Sequence, residues 1–315
     1  MSRLLYDTSE ALVYDPVSGN RMATRSALYS LGFRKIESAS TVEAFCEALR
    51  RRPPDLAICE TQGAEAELCA AIQALRQGAE GHNPFIVIIA TAWEKNAALV
   101  SQVINSGADD LLLRPFSTSL LESRIATHIQ RRKGFVVTSN YIGPDRRRES
   151  SRPSNVELFE PPNSLKMKAQ DRLTPEQAAE RLESELKVAR GALNLEKIRR
   201  DAFQVCVQWR LIQNLGADPS YDEQLSAAAD LVRGISKRCR EADLDQACGW
   251  CDSLLAALEG LKLGVDRNAS MHLFGHAARS LNQLFQQGKS AEEQLADIDQ
   301  TVALIRARER PKLAS

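Results

Sequence analysis

The stretch PPDLAICETQG (residues 53–63) combines a buried strand with an acid at its end. Apolar and small residues stand in an unbroken row between two prolines and a glycine, a pattern typical of a strand covered on both faces. The row ends on Glu60. Because ligands bind beyond the carboxyl ends of the strands in doubly wound sheets, this acid is the first candidate site residue.

The same alternation of apolar strand and amphipathic helix recurs through the first 133 residues. Ser40 and Ser117 are predicted to cap helices, and Gly32 and Gly107 to end them. This order predicts an α/β doubly wound five-stranded parallel sheet for residues 10–133. The predicted strands lie at 11–15, 35–40, 55–60, 84–91 and 109–115.

Four polar side chains stand at or just past the ends of these strands: Asp15, Glu60, Thr91 and Arg114. The carboxyl ends of parallel strands meet at one edge of a sheet. We therefore expect the four side chains to converge there.

The composition changes after residue 133. Residues 134–172 are rich in proline and arginine and predict an extended linker, with docking of its first part left open. Its segment YIGPDRRR (141–148) is interpreted as solvated and charged, the alternative being that its arginines bind an acidic surface or a phosphate-bearing ligand. Residues 173–310 show helical periodicity with short connections, which predicts an all-α helical bundle. The predicted helix starts are Thr174 with Pro175, Ser220, Asp243 and Ser290.

Bulk properties exclude several classes of protein. The net charge is zero, so no global field draws the chain to nucleic acid. No apolar run approaches the roughly 20 residues that a membrane span needs. The first residues lack a basic-then-apolar signal segment, and seven irregularly spaced cysteines do not form a disulfide pattern. We expect a cytoplasmic protein with reduced thiols and no membrane partner.

Residues 10–133 resemble a two-component response-regulator receiver domain, on the evidence of three motifs in order: PDLAICE, IVIIATA and SGADDLLLRPF. The resemblance implies a flavodoxin-like strand order. In that family an aspartate on the third strand accepts a phosphoryl group, and two acids after the first strand hold Mg²⁺. A Thr or Ser after the fourth strand contacts the phosphoryl group, a lysine pairs with it before a cis-proline, and an aromatic residue on the fifth strand reports activation.

This sequence keeps Asp15 and Thr91 and departs from the family elsewhere. The acceptor, the second acid, the lysine and the aromatic are replaced by Glu60, Tyr14, Arg114 (before Pro115) and Leu111, respectively.

These replacements suggest a permanent charge pair. A glutamate carries its carboxylate about 1.5 Å further than an aspartate, toward the place a phosphoryl group would take. Arg114 offers a planar fork that matches a carboxylate, so we expect a Glu60–Arg114 pair close to Thr91. Asp15 and Glu60 are the only candidates for a weak Mg²⁺ site, and no other cofactor is expected.

The sequence predicts an atypical response regulator that is not an enzyme and acts by protein–protein interaction, independently of phosphorylation. Its fourth helix, fifth strand and fifth helix would face a histidine kinase, another signalling protein or its own helical domain. The long helix around Leu182 and Leu193 is also compatible with a homodimer.

Three alternatives remain open. The charged residues could be a relic cluster without a signalling role, or the chain could be an active phosphorelay component. It could also be a DNA-binding regulator with an unrecognised helical output, which the lack of a helix-turn-helix signature disfavours.

Two segments of the helical half carry weaker signals. Cys248 and Cys251 form a C-x-x-C pair, which can serve redox chemistry or supply half of a zinc site. Small apolar cysteines are common in helix cores, and this interpretation is preferred. The stretch MHLFGHAARSL (271–281) faintly resembles the helix of histidine phosphotransfer domains, but Met271 falls where that family has its histidine. His272 and His276 are interpreted as ordinary helix residues.

Overall fold

The chain divides into two units, residues 1–190 and 191–315, in a computed structural model. The structure describes residues 4–78, 83–94, 96–137, 141–146, 158–215, 220–286 and 288–309. Each unit has its own hydrophobic core.

The N-terminal unit is built on a parallel sheet of five strands in the order β2-β1-β3-β4-β5. This confirms the predicted fold class and the receiver-like order. The strands are β1 (Glu10–Tyr14), β2 (Lys35–Ala39), β3 (Leu56–Glu60), β4 (Val87–Ala92) and β5 (Asp110–Leu113). The helices between and after them are α1 (Ser18–Leu31), α2 (Val42–Arg51), α3 (Glu65–Gln77), α4 (Ala97–Ser106) and α5 (Thr118–Gln130).

Helices cover both faces of the sheet. Side chains of α1 and α5 pack on one face, and side chains of α2, α3 and α4 pack on the other. The central strands β3 and β4 are buried along their whole length, as their unbroken apolar runs predict. The edge strands β2 and β5 are partly exposed, because each has a neighbour on one side only.

The capping residues and glycines in the sequence predicted most helix ends correctly. Gly32 and Gly107 end α1 and α4 in the left-handed conformation, and the Ser117 side chain caps α5. The predicted cap at Ser40 is wrong by one residue. Thr41 caps α2, because its hydroxyl accepts from the Ala44 amide.

The region predicted as a linker contains packed structure. Strands β6 (Phe135–Val137) and β7 (Ile142–Pro144) form an antiparallel hairpin, and α6 (Ser164–Ala169) adds buried residues to the α1/α5 side of the sheet. Lys168 forms an ion pair with Asp55 at 2.8 Å. The described part of YIGPDRRR, residues 141–146, belongs to the hairpin, and Arg147 and Arg148 lie outside the described residues.

A buried ion cluster at the amino ends of the strands anchors the hairpin that follows α5. Asp109 lies between Arg76 and Arg132, with ion-pair distances of 2.8 Å to each. All three side chains are at most 5% exposed. Both guanidinium groups lie against the Phe135 ring, with their Cζ atoms 5.2 and 5.0 Å from its centroid.

Glycines allow the hairpin to approach the sheet closely. A Cβ built on Gly107 would lie 2.7 Å from the Ile142 carbonyl oxygen, and one built on Gly143 would lie 2.8 Å from the Gly107 Cα. Only glycine fits at both positions. The hairpin is therefore fixed against the turn that joins α4 to β5.

The C-terminal unit is helical, as predicted. Its helices are the second half of α7 (Pro175–Gln213), α8 (Tyr221–Glu241), α9 (Asp245–Leu263), α10 (Arg267–Phe285) and α11 (Ala291–Glu309). Gly191 does not interrupt α7. The predicted cap at Asp243 is wrong, because this residue takes a positive φ of 52° in the turn before α9 and Leu244 is the N-cap.

Packing accounts for Gly275 in the helical unit. The Trp209 ring lies against it so closely that a Cβ there would come within 2.4 Å of the ring.

His272 and His276 are exposed on the same helix. Within the described ranges, no helix is both long and apolar enough to cross a membrane.

Candidate functional site

Four parallel strands bring the predicted site residues to one edge of the sheet. Glu60 at the end of β3 stands in register with Thr91 on β4. Asp15 follows the last residue of β1, and its amide donates to the Ala39 carbonyl of β2. Arg114 follows β5 and donates its amide to Ala92 at 2.7 Å. The carboxyl ends of the strands thus place all four side chains in one pocket.

Glu60 is fully engaged by hydrogen bonds. Its Oε2 accepts from the Thr91 hydroxyl at 2.7 Å and from Arg114 Nε at 2.6 Å. Its Oε1 accepts from the Gln62 amide at 3.0 Å. The Glu60 side chain is only 2% exposed, so its charge depends on these donors rather than on water.

Arg114 joins two acids from different strands. Besides Glu60, its Nη2 lies 3.1 Å from Asp15 Oδ2, an ion-pair contact without hydrogen-bond geometry. The same Nη2 donates to the Thr24 hydroxyl on α1 at 3.0 Å. The guanidinium also stacks on Phe116, 4.9 Å from Cζ to the ring centroid. One cation therefore holds the end of β5 against β1, β3 and α1.

The Asp15 carboxyl is buried beside a second acid. Burial raises the pKa of Asp15, the Val17 amide and Arg114 lower it, and Glu60 adds a smaller upward effect, so that the pKa is raised overall. The folded state thus holds a proton on Asp15 more tightly than the unfolded chain does. The contribution of this group to stability is therefore complete below its unfolded pKa and is lost as pH rises through the raised folded pKa.

The arrangement does not suit Mg²⁺. Asp15 Oδ1 accepts from the Val17 amide, and its Oδ2 faces Arg114. Both oxygens of Glu60 are also taken by donors. A divalent ion would have to displace the guanidinium that neutralises these carboxylates. The two predicted metal ligands, Asp15 and Glu60, thus pair with Arg114 instead.

Of the remaining predicted positions, Pro115 lies beside Arg114, whereas Tyr14 and Leu111 belong to the hydrophobic core. The Arg114–Pro115 peptide is cis. The side chain of Tyr14, predicted to share the acidic pocket, is buried in the core on the other side of β1, where its ring contacts Phe45 at 5.9 Å. Leu111 is partly buried on β5 and packs against that same core.

Two partners of Arg114 and Asp15 were absent from the prediction. Thr24 lies in the middle of α1 and is 1% exposed, where it accepts from Arg114. Arg21, one turn earlier, donates to the Asp15 carbonyl at 2.6 Å. Their spacing of three places both on one face of α1, but nothing in the sequence indicates that this face meets the strand ends.

A groove runs along α4, β5 and α5 on the outer surface of the N-terminal unit. It has a volume of 490 Å³ and is lined by Ile104, Leu113 and Leu120 together with Pro144 of the hairpin. Each of these three apolar side chains is 38–40% exposed. Arg124 lines the same groove and pairs with Asp110 at 3.4 Å.

The cysteines and histidines of the helical unit do not assemble a metal site. Cys251 contacts Cys239 of α8, and Cys248 packs at the edge of the same core. The His276 ring contacts that of Trp250 in a tilted arrangement, with ring centroids 5.5 Å apart. Among the residues that the structure describes, no group of three His, Cys, Asp or Glu side chains could hold a metal ion.

No family model and no curated protein matches the chain. Among solved structures, the chemotaxis protein CheY4 of Vibrio cholerae is 19% identical, covering 38% of this chain and 97% of that protein, with a TM-score of 0.34. A signal receiver domain of a two-component histidine kinase from Clostridium thermocellum is 17% identical over 39% and 98%, with a TM-score of 0.35. The receiver domain of NarL from Mycobacterium tuberculosis is 18% identical over 39% and 98%, also with a TM-score of 0.35.

Proposed function

We propose that this chain is an atypical response regulator that signals by protein–protein contact and does not cycle through phosphorylation. The observation that carries the proposal is the closed Glu60–Thr91–Arg114 cluster. A buried carboxylate already holds the hydroxyl and the cation that would otherwise meet a phosphoryl group. Its single negative charge imitates the modified state weakly, since a phosphoryl group brings nearly two.

The pocket is also unsuited to phosphoryl transfer. Transfer depends on in-line positioning and on metal neutralisation of the phosphoryl oxygens. Both carboxylate oxygens of Glu60 accept hydrogen bonds. Asp15 faces Arg114 and is not open to a metal ion. The domain would then act as a fixed binding module without catalytic activity of its own.

The groove along α4, β5 and α5 is the proposed contact surface. Ile104, Leu113 and Leu120 give it an apolar floor, and the charged pair Arg124–Asp110 lies at its side. An apolar centre with a polar rim fits a protein partner. The candidates are a histidine kinase, another signalling protein or a second copy of this chain.

The proposal is tested with a small-molecule phosphodonor, Mg²⁺ and intact-protein mass spectrometry. We expect no phosphoryl adduct on the wild-type chain, while a receiver domain with an acceptor aspartate takes one up in the same mixture. Stoichiometric uptake mapped to Glu60 would overturn the proposal.

The variant Glu60→Asp is expected to recover phosphoryl uptake only in part. It draws the carboxylate back by about 1.5 Å and opens space beside Thr91. Arg114 still occupies the pocket, and Tyr14 still replaces the second acid. Adduct formation should be detectable by mass yet far slower than in an intact receiver, and Glu60→Gln should show none. Uptake of Glu60→Asp at the intact receiver's rate would contradict this account.

A further inference from the structure

A groove runs between the second half of α7 and helix α10 in the helical unit. Its volume is 470 Å³, within the range of about 300–1,000 Å³ that is typical of small-molecule sites. Trp209 and Gln213, one turn apart on α7, form one wall. The other wall is one face of α10, with the residues Arg267, Asn268, Met271, His272, Gly275 and Arg279.

This groove presents positive charge and hydrogen-bond donors. None of the described residues that line it is acidic. Arg267 and Asn268 are the first two residues of α10, where the helix N-terminus adds a partial positive charge. Asp266, which caps this end, accepts from the Ala269 amide at 3.0 Å. The lining therefore favours an anionic ligand.

Trp209 supplies a buried donor that lacks an acceptor. Its side chain belongs to a residue that is 7% exposed, and Nε1 has no hydrogen-bond partner among the described residues. The indole edge that carries Nε1 faces Gly275, because a Cβ built on this glycine would lie 2.6 Å from Nε1. Gly275 has no side chain to cover that edge and itself lines the groove. An indole N–H can only donate, so an oxygen that enters the groove at Gly275 would supply the missing acceptor.

Two arginines lie over the Trp209 ring, and they differ in their partners. The Cζ atoms of Arg210 and Arg279 are 5.1 and 5.5 Å from the ring centroid. Arg210 forms an ion pair with Asp299 at 2.8 Å and is not among the described residues that line the groove. Arg279 donates its Nε to the Gly275 carbonyl at 3.0 Å, and no acid of the described residues lies within ion-pair distance of it. Its terminal nitrogens can therefore donate to a ligand beside Trp209.

We propose that this groove binds a small molecule with a phosphate or carboxylate group, whose oxygens accept from the Arg279 guanidinium and from the Trp209 indole N–H. Arginine suits both groups, because its planar fork matches their paired oxygens. The half-buried Met271 contacts the apolar part of the ligand. The site lies wholly within the helical unit and uses no residue of the Glu60 pocket, so it stands or falls independently of the proposed signalling function.

The test is an NMR titration of the ¹⁵N-labelled full-length chain with sodium phosphate and, separately, with sodium succinate. Sodium chloride at equal ionic strength is the control. The chain has three tryptophans, Trp93, Trp209 and Trp250, and the indole signal that is missing in Trp209→Phe identifies Trp209. We expect this signal to shift and saturate with at least one of the two anions, while the other two indole signals stay in place. Saturation by phosphate or by succinate tells which acidic group the groove takes.

Two variants separate the groove from a general attraction of anions to arginine. Arg279→Gln should weaken the binding of the saturating anion at least about tenfold, because it removes the charged donor. Arg210→Gln removes the other cation from the same ring and should change the dissociation constant by less than about twofold. Unchanged signals of Trp93 and Trp250 verify that both variants are folded.

Three results would overturn the proposal. One is a Trp209 signal that saturates with neither phosphate nor succinate. Another is an equal shift with sodium chloride, which would mean a response to ionic strength alone. The third is an anion affinity of Arg279→Gln equal to that of the wild-type chain.

Discussion

Replacing Arg114 with alanine is expected to lower the free energy of unfolding of the N-terminal unit by about 3–5 kcal/mol. The change leaves Glu60 and Asp15, which are 2% and 0% exposed, without the guanidinium that neutralises them. Hydrogen exchange of the β3 and β4 amides measures this free energy in the full-length chain. Because these amides lie in the N-terminal unit, their exchange reports its stability separately from that of the helical unit.

The matched control is Arg124→Ala in the same unit. Arg124 is 46% exposed and pairs with Asp110, so its loss should cost about 1 kcal/mol or less. Arg114→Lys should fall between the two, since a lysine keeps the charge but lacks the planar fork that donates to Glu60 and Thr24 together while it faces Asp15. Equal, small effects of Arg114→Ala and Arg124→Ala would show that the pocket cluster is not formed.

Asp109→Asn is expected to be the second severe substitution, at about 3–5 kcal/mol. It removes the one carboxylate between two buried guanidinium groups, those of Arg76 and Arg132. The neighbouring variant Asp110→Asn is the control, because Asp110 makes longer contacts at 3.4 Å to Arg124 and His128. The amides of β4 and of the β6–β7 hairpin should lose exchange protection in Asp109→Asn and keep it in Asp110→Asn. Equal losses of exchange protection in the two variants would contradict the proposed role of Asp109 in holding the hairpin.

The Asp109 carboxylate also predicts that the N-terminal unit loses stability at low pH. Burial alone would raise the pKa of Asp109, but Arg132 and Arg76 outweigh burial and lower it. Its contribution to stability is therefore complete above the unfolded pKa of about 3.9 and is lost as pH falls through the lower folded value. Asp109→Asn should remove this acid-dependent component, and a wild-type pH dependence that survives in the variant would assign it to other groups.

The convergence of these side chains could be predicted from the sequence because the residues follow strands. Glu60, Thr91 and Arg114 each follow or end an apolar run, and parallel strands deliver their carboxyl ends to one edge. Tyr14 shows the limit of this rule. Adjacent strand residues point to opposite faces, so Asp15 enters the pocket while Tyr14 enters the core beside Phe45.

Composition left open a docked first part of residues 134–172 but could not predict the strands and helix that pack there. Prolines and arginines in 134–172 are typical of a linker, yet Phe135, Ile142 and Leu165 are buried. The deciding contact is with Arg76 and Asp109, which lie far away in sequence. Hydropathy gives no sign that a particular arginine is buried, since arginine enters a core only where carboxylates and carbonyls meet it.

We propose that Glu60 and Arg114 act as one pair in the place of a phosphoryl group. A double-mutant cycle of Glu60→Gln and Arg114→Ala, measured by hydrogen exchange of the β3 and β4 amides, tests this pairing. We predict a coupling free energy of about 1–3 kcal/mol, with the double variant less destabilised than the sum of the singles. Single-variant effects that add to within about 0.5 kcal/mol would contradict the claim.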